Sequence, residues 1–215
     1  MLFKKKEASI KNFFLLALTS FSLSTAADSF DYNSFNNHGT VGLINMPTAR
    51  FYDEGAHGFT AYNSDAVQKI TLSSNPYDWL EASFFYMNLP DVRLCRAYPG
   101  ITPICEGYKD KGFNLKLRLK EEGIFPAIAI GLMDFAGTGR FSSEYIVSSY
   151  GIGRFDLHFG LGFGKLGGSN KQIKNPLGYL NDSFYNRPGG GTSLGGALNP
   201  NTYFSGPKAA PFYGI

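Results

Sequence analysis

Cysteine, histidine and tryptophan are scarce here: two, three and one in 215 residues. Past residue 23 there is no long apolar run. Each scarcity excludes something. Two thiols are too few for a zinc site, and His38, His57 and His158 lack metal-ligand spacing, so no metal and no other cofactor is expected. No Gly-x-Ser-x-Gly elbow sits in a hydrolase context. Glu81 and Asp156 fall on different strands, whereas a glycoside-cleaving pair needs a fixed separation; no enzyme is expected. The net charge of +3 is too small to call for nucleic acid. The pairs and triplets at Gly167-Gly168, Gly189-Gly190-Gly191 and Gly195-Gly196 have no strand-to-helix context and cradle no phosphate. Without a spanning apolar block, a helical membrane protein is excluded for the part after the N-terminus.

That N-terminus has its own pattern. Lys4-Lys5-Lys6 and Lys11 precede an apolar stretch, 13–23, and then Ser24-Thr25-Ala26-Ala27. This is the layout of a secretory signal peptide, 1–26, cut after Ala26 or Ala27. No cysteine stands at that point, which argues against lipid attachment there. In an exported chain, Cys95 and Cys105 are expected to form a disulfide that staples a short loop.

What is abundant is aromatic, apolar and small. Hydrophobic residues make up 43% of the chain and aromatics 16%, with 20 Phe and 13 Tyr; there are 26 glycines, against a usual share of roughly 7%. The apolar residues recur at every second position. In Arg154-Phe155-Asp156-Leu157-His158-Phe159-Gly160-Leu161-Gly162-Phe163-Gly164, the Phe and Leu side chains share one face; Asp156, His158 and the glycines share the other. The run has about the nine to eleven residues of a transmembrane β-strand. In Phe113-Asn114-Leu115-Lys116-Leu117-Arg118-Leu119-Lys120 the apolar face is Phe and Leu, and the other is Asn, Lys, Arg and Lys. After Glu121-Glu122-Gly123, Ala127-Ile128-Ala129-Ile130-Gly131-Leu132 alternates small with large, which completes a hairpin.

Strands are expected at 56–63, 67–74, 79–87, 112–120, 126–134, 143–150 and 154–164, with an eighth starting near Phe204 or Pro211 and still running at Ile215. A short strand can form at 40–44, and Met46-Pro47 should break any strand. Connections after the second, fourth and sixth strands are short. Those at 88–111, 135–142 and 165–203 are long. Short turns at one end and long loops at the other are the habit of outer-membrane barrels; the short first connection, 64–66, departs mildly from it. The expected fold is all-β, an antiparallel up-and-down outer-membrane β-barrel after a cleaved signal peptide. Residues 27–55 form a mature N-terminal segment and 56–215 the N-terminal part of a barrel that further strands complete. The rival is a secreted β-sandwich that binds or cleaves glycans.

A family resemblance rests on Gly42-Leu43-Ile44-Asn45-Met46-Pro47-Thr48-Ala49-Arg50 with Tyr52 and Glu54-Gly55. It continues through Tyr108-Lys109-Asp110-Lys111-Gly112-Phe113, Leu119 with Glu121-Glu122-Gly123, and Asp134-Phe135-Ala136-Gly137-Thr138-Gly139 with Phe141-Ser142-Ser143-Glu144-Tyr145. It ends at Leu161-Gly162-Phe163-Gly164 with Leu166-Gly167. In these blocks the sequence resembles the YjbH family of exopolysaccharide-associated outer-membrane proteins, whose members are several times longer. The resemblance implies export or assembly of extracellular polysaccharide at the outer membrane of a Gram-negative bacterium, as conduit or scaffold. Outer-membrane lipid, the polysaccharide and other exopolysaccharide-export proteins are the expected partners. Candidate glycan or lumen contacts are Lys116, Arg118, Asp134, Arg140, Glu144, Asp156 and His158, with Phe141 and Tyr145 as sugar-stacking faces. Two structural alternatives stand beside them: an Arg50–Glu54 clamp, and a salt-bridged rim of Asp134, Arg140 and Glu144. Thiol labelling of protein from intact cells should find neither Cys95 nor Cys105 reactive without reductant; labelling of both would show an unbridged loop.

Overall fold

The computed structural model describes residues 34–98, 101–168, 172–188 and 198–215; the expected signal peptide lies outside them. The described fold is all-β. A two-stranded ladder joins β1 (Gly42–Leu43) to β2 (Met46–Pro47). The nine-stranded sheet comprises β3 (His57–Asn63), β4 (Gln68–Tyr77), β5 (Leu80–Tyr98), β6 (Ile101–Lys120), β7 (Ala127–Met133), β8 (Ser143–Ile152), β9 (Phe155–Gly164), β10 (Ile173–Lys174) and β11 (Lys208–Gly214). Its order is β10-β11-β9-β8-β7-β6-β5-β4-β3, and every pairing is antiparallel. From β3 to β9 it is an unbroken meander. No pairing closes it between β3 and β10 among the described residues, so the sheet stands open.

The two faces invert the rule of a soluble protein. Phe155, Leu157 and Phe159 are exposed, Phe159 by 62%, while Asp156 and His158 between them are buried. On β4, Ile70 and Leu72 are exposed, with Lys69, Thr71 and Ser73 buried. Register carries this apolar face across the sheet: Phe59 opposes Leu72, Leu72 opposes Phe84, and Phe84 opposes Phe113. Farther on, Leu117 opposes Ile130, Ile130 opposes Ile146, and Ile146 opposes Leu161. Such same-face pairs are the unit of sheet cohesion.

The covered face is built from small and polar residues because other chain must fit against it. Ala127 and Ala129 of β7 pack with Ala49 and Phe51 of the N-terminal segment, and with Tyr145 and Val147 of β8. A side chain at Gly131 would collide with the Tyr145 ring. The small-large alternation of β7 therefore makes room inside and keeps bulk outside.

Three expectations need correction. The long loop at 88–111 is instead the outer half of a hairpin, since β5 runs to Tyr98 and β6 starts at Ile101. Pro90 falls in an irregularity of the pairing between Leu89 and Arg93, which accommodates a residue without an N–H. Cys95 and Cys105 face each other in this ladder and are bonded; the bridge ties strands rather than a loop. Met46-Pro47 does not break pairing, because Pro47 opposes Gly42 at the end of a two-residue ladder. The last strand is placed at Lys208–Gly214.

At one end the outer face is covered too. Glu144 and Phe163 oppose each other on the side of Ile146 and Leu161, yet both are buried. Arg187 grips Glu144 at 2.8 Å, and Phe204 meets Phe163 edge to face at 5.4 Å. Asn175 organises this cover by donating to the carbonyls of Phe184, Phe204 and Gly206.

Candidate functional site

Residues 34–51 lie across the covered face as a strap, and the sheet's buried charges hold it. Lys116 Nζ sits 2.6 Å from Glu81 Oε2. It also donates to the carbonyls of Val41 at 3.2 Å and Arg50 at 2.7 Å. Glu81 Oε1 accepts from Val41 N at 2.9 Å. The two side chains are each 1% exposed, so the pair is a buried ion pair that clasps backbone. Ser149 Oγ accepts from Ala49 N at 2.8 Å and bonds His158 Nδ1 at 2.8 Å. Arg50 closes the strap with a two-pronged bond to Asp156, 2.9 and 2.6 Å, and a contact to Glu122 at 2.5 Å. Burial works against the Arg50 charge, but Asp156 and Glu122 outweigh it and hold its pKa above the ordinary value. The expected Arg50–Glu54 clamp is replaced by these partners.

A second feature lies beside the strap, under the β7–β8 loop. A cavity of about 240 Å³ is walled by His38, Lys69, Phe85, Met87, Asn114, Met133, Asp134 and Phe141 among others. Asp134 leaves β7 in the left-handed region, φ 51°, which Asp tolerates better than most residues. Its Oδ2 accepts from Phe141 N, and its own N–H donates to Asn114 Oδ1, both at 3.1 Å. Oδ1 is buried and has no hydrogen-bond partner among the described residues. A Cβ at Gly112 or Gly137 would run into that oxygen, so both glycines are needed for the carboxylate to sit there. Burial first, then the nearby Asp110 charge, push Asp134 up to about 7. Burial, and secondly Lys69, lower His38 to about 4. Lys69 is 9% exposed. Its ammonium stands 4.4 Å from the Phe85 ring centroid and meets neither an ion-pair partner nor a hydrogen-bond acceptor among the described residues.

The seven residues read from the sequence therefore separate. Lys116, Asp156 and His158 serve the strap. Arg118 pairs with Glu121 at 2.8 Å and lies over Phe51. Glu144 holds Arg187, and Arg140 lies over the Tyr108 ring at 4.7 Å; the expected mutual rim of Asp134, Arg140 and Glu144 is not formed. Asp134 lines the cavity with Phe141, while Tyr145 is buried in the core, not open for stacking. Sequence reasoning passed over Lys69, Glu122, Ser149 and Arg187. Lys69 did leave a signal, since it alternates with Ile70 and Leu72. Arg187 sits in an aperiodic stretch that carries none. Among the described residues no His, Cys, Asp or Glu group could hold a metal ion.

A family model described as the exopolysaccharide biosynthesis protein YbjH, family YjbH, matches residues 34–215. The chain belongs to the YjbH family. One curated relative is the "Uncharacterized lipoprotein YjbH" of Escherichia coli (strain K12), 36% identical over 209 residues. The match covers 94% of this chain and 29% of that relative, so the chain spans under a third of its YjbH relative's length. No solved structure matches. Among YjbH residues now in place, those of the 42–50 block lie in the strap, and the 134–145 block forms the cavity's loop.

Lys116→Met in this YjbH chain should leave Glu81 charged and unpaired, which costs about 3–5 kcal/mol; urea unfolding in detergent micelles measures it. The double variant Lys116→Met/Glu81→Gln should recover part of the loss. The Asp134 carboxyl holds its proton more tightly folded than unfolded, so its contribution is greatest near pH 4 and falls as pH rises towards 7. His38, shifted down, acts with the opposite sign between about 4 and 6.5. The difference between wild type and Asp134→Asn isolates the first effect. Stability of the variant relative to wild type should rise steadily from pH 4 to pH 8.

Proposed function

We propose that the sheet is the wall of an outer-membrane β-barrel in a Gram-negative bacterium, and that the protein serves export or assembly of extracellular polysaccharide as conduit or scaffold. The inverted faces carry the proposal. An apolar band, exposed or half-exposed over seven strands and backed by buried charge, suits lipid outside and a polar lumen inside. From Phe155 to Leu161 the band runs roughly 20 Å along β9 at ~3.4 Å per residue. At the β4–β5 turn Tyr77 and Trp79 stack at 5.4 Å, and Phe125 and Phe155 are exposed at neighbouring turns, as an interfacial aromatic girdle would be. A sandwich would press its large apolar face onto a second sheet; here that face is open. The family's link to exopolysaccharide supplies the context, and the E. coli relative's description as a lipoprotein supports an envelope location.

A bilayer leaves no open sheet edge unpaired, because each bare backbone group costs several kcal/mol. The edges at β3 and β10 are therefore paired by other strands when the barrel closes. Within the described part the strap fills the covered face, which favours scaffold over open conduit for this portion. The 1–26 segment is assigned as a signal peptide. The carboxylates Glu81 and Asp156 are occupied by Lys116 and Arg50, and no catalysis is assigned.

The full-length protein should stay with outer membranes through carbonate and high-salt washes. Release into the wash would overturn the barrel. Phe159→Arg should block assembly by placing a charge in lipid, roughly 2–4 kcal/mol at mid-bilayer. His158→Ala should cost about 1–3 kcal/mol through the lost Ser149 bond and still insert. Equal tolerance at both positions would show a water-exposed sheet.

A further inference from the structure

The cavity beneath the β7–β8 loop contains unmet bonding capacity of both signs. Lys69 is more than nine-tenths buried, lines the cavity, stands 4.4 Å from the Phe85 ring centroid, and makes no ion pair or hydrogen bond among the described residues. A buried ammonium without acceptors is costly, and its three donors point to an acceptor supplied from elsewhere. Asp134, 2% exposed, leaves Oδ1 unpartnered. Around these polar groups stand Phe85, Met87, Met133, Phe141 and Leu166. Apolar walls with a few convergent polar groups are the makeup of a small-molecule site. The cavity, about 240 Å³, is below the roughly 300–1,000 Å³ of drug-sized sites; it fits one sugar ring rather than an oligomer.

We propose that this cavity binds a single pyranose ring bearing a carboxylate, with the acid group against Lys69 and the ring's C–H face against the Phe85 and Phe141 side of the wall. This rests on the exopolysaccharide assignment for the choice of ligand class, but its site and test stand apart from the barrel. The charges around the cavity favour an acidic over a neutral sugar. Lys69 lacks an ion-pair partner, and Lys165 adds a second cation to the lining. Of the two acids near Lys69, Asp110 already accepts from Lys111 N at 2.8 Å and Thr138 Oγ1 at 3.1 Å. Asp134 is held near neutrality by burial and by Asp110, so its opposition to an incoming carboxylate is partial. Ring hydroxyls can donate to its free oxygen and exchange with Ser143 and Asn114, which also line the site.

The test uses the full chain folded in detergent micelles, with D-glucuronate, its uncharged methyl ester and D-glucose as probes. Saturation-transfer NMR detects contact, and titration calorimetry gives affinity. Glucuronate should bind saturably at one site, at least tenfold tighter than the ester or glucose. Lys69→Met should bring glucuronate down to the level of the ester, and Lys69→Arg should restore most of the difference. The ester comparison needs no variant, so it decides the matter even where Lys69→Met fails to fold. No saturable glucuronate binding to the folded wild type would overturn the proposal, as would equal binding of acid and ester. A protein that leaves the membrane in carbonate yet binds glucuronate would refute the barrel and keep this site. A membrane-bound protein indifferent to glucuronate would do the reverse.

Discussion

The ammonium of Lys116 is the point on which the covered face depends. A charge buried this deeply is tolerable only when paired and hydrogen-bonded. Glu81 neutralises it, and two carbonyls of the strap complete its bonding. The strap is in turn bound through Val41 N to the other oxygen of Glu81. Neither side is satisfied alone: without the strap, the pair has unmet donors and acceptors, and without the pair, the strap's backbone faces an unpaired polar floor. Specificity follows from this mutual need, since a slip of one residue in β5 would carry Glu81, and one in β6 would carry Lys116, to the exposed face and part the pair.

Other interior groups extend the same logic along the strap. Ser149 and Asp156, on neighbouring strands, fix Ala49 and Arg50, while Phe51 lies under the cations of Lys116 and Arg118. Phe51 thus belongs at once to the apolar core with Ala127 and Ala129 and to the charged network. The alanines are small because the strap is there. Large residues at the same positions would push the strap off the sheet and strip the partners from Lys116.

The loop ends are held by a different device. Asp134 turns the chain out of β7, and the glycines at 112 and 137 let its carboxylate sink against the hairpin. Arg187 reaches back from the segment after β9 to Glu144 and to the carbonyl and hydroxyl of Ser142. These two contacts cover one end of the sheet with polar structure, while the opposite turns carry exposed aromatics such as Trp79 and Phe125. The sheet is therefore polar-capped at one end and aromatic at the other.

Strand positions and facing were legible in the sequence, because alternation is a local property and the inverted burial leaves it intact. Phe155 to Phe163 and Phe113 to Lys120 show their two faces without any knowledge of neighbours. The cysteine pair was legible as a bond, but its place in a ladder was not, since an irregularity interrupts the pairing between Leu89 and Arg93. Partners of buried charges were beyond reach. Arg50 finds Asp156 across 106 positions, and Arg187 finds Glu144 across 43, and no local period encodes such distances. The cavity is further removed still: Lys69 on β4 and Asp134 after β7 share it only because β5 and β6 set the spacing between them. Sequence alone determined the two faces of the regularly alternating strands. Tertiary structure decided which inward side chains are satisfied by the protein itself and which, like Lys69, are left to meet something else, because hydrogen-bond satisfaction depends on groups that only folding brings together.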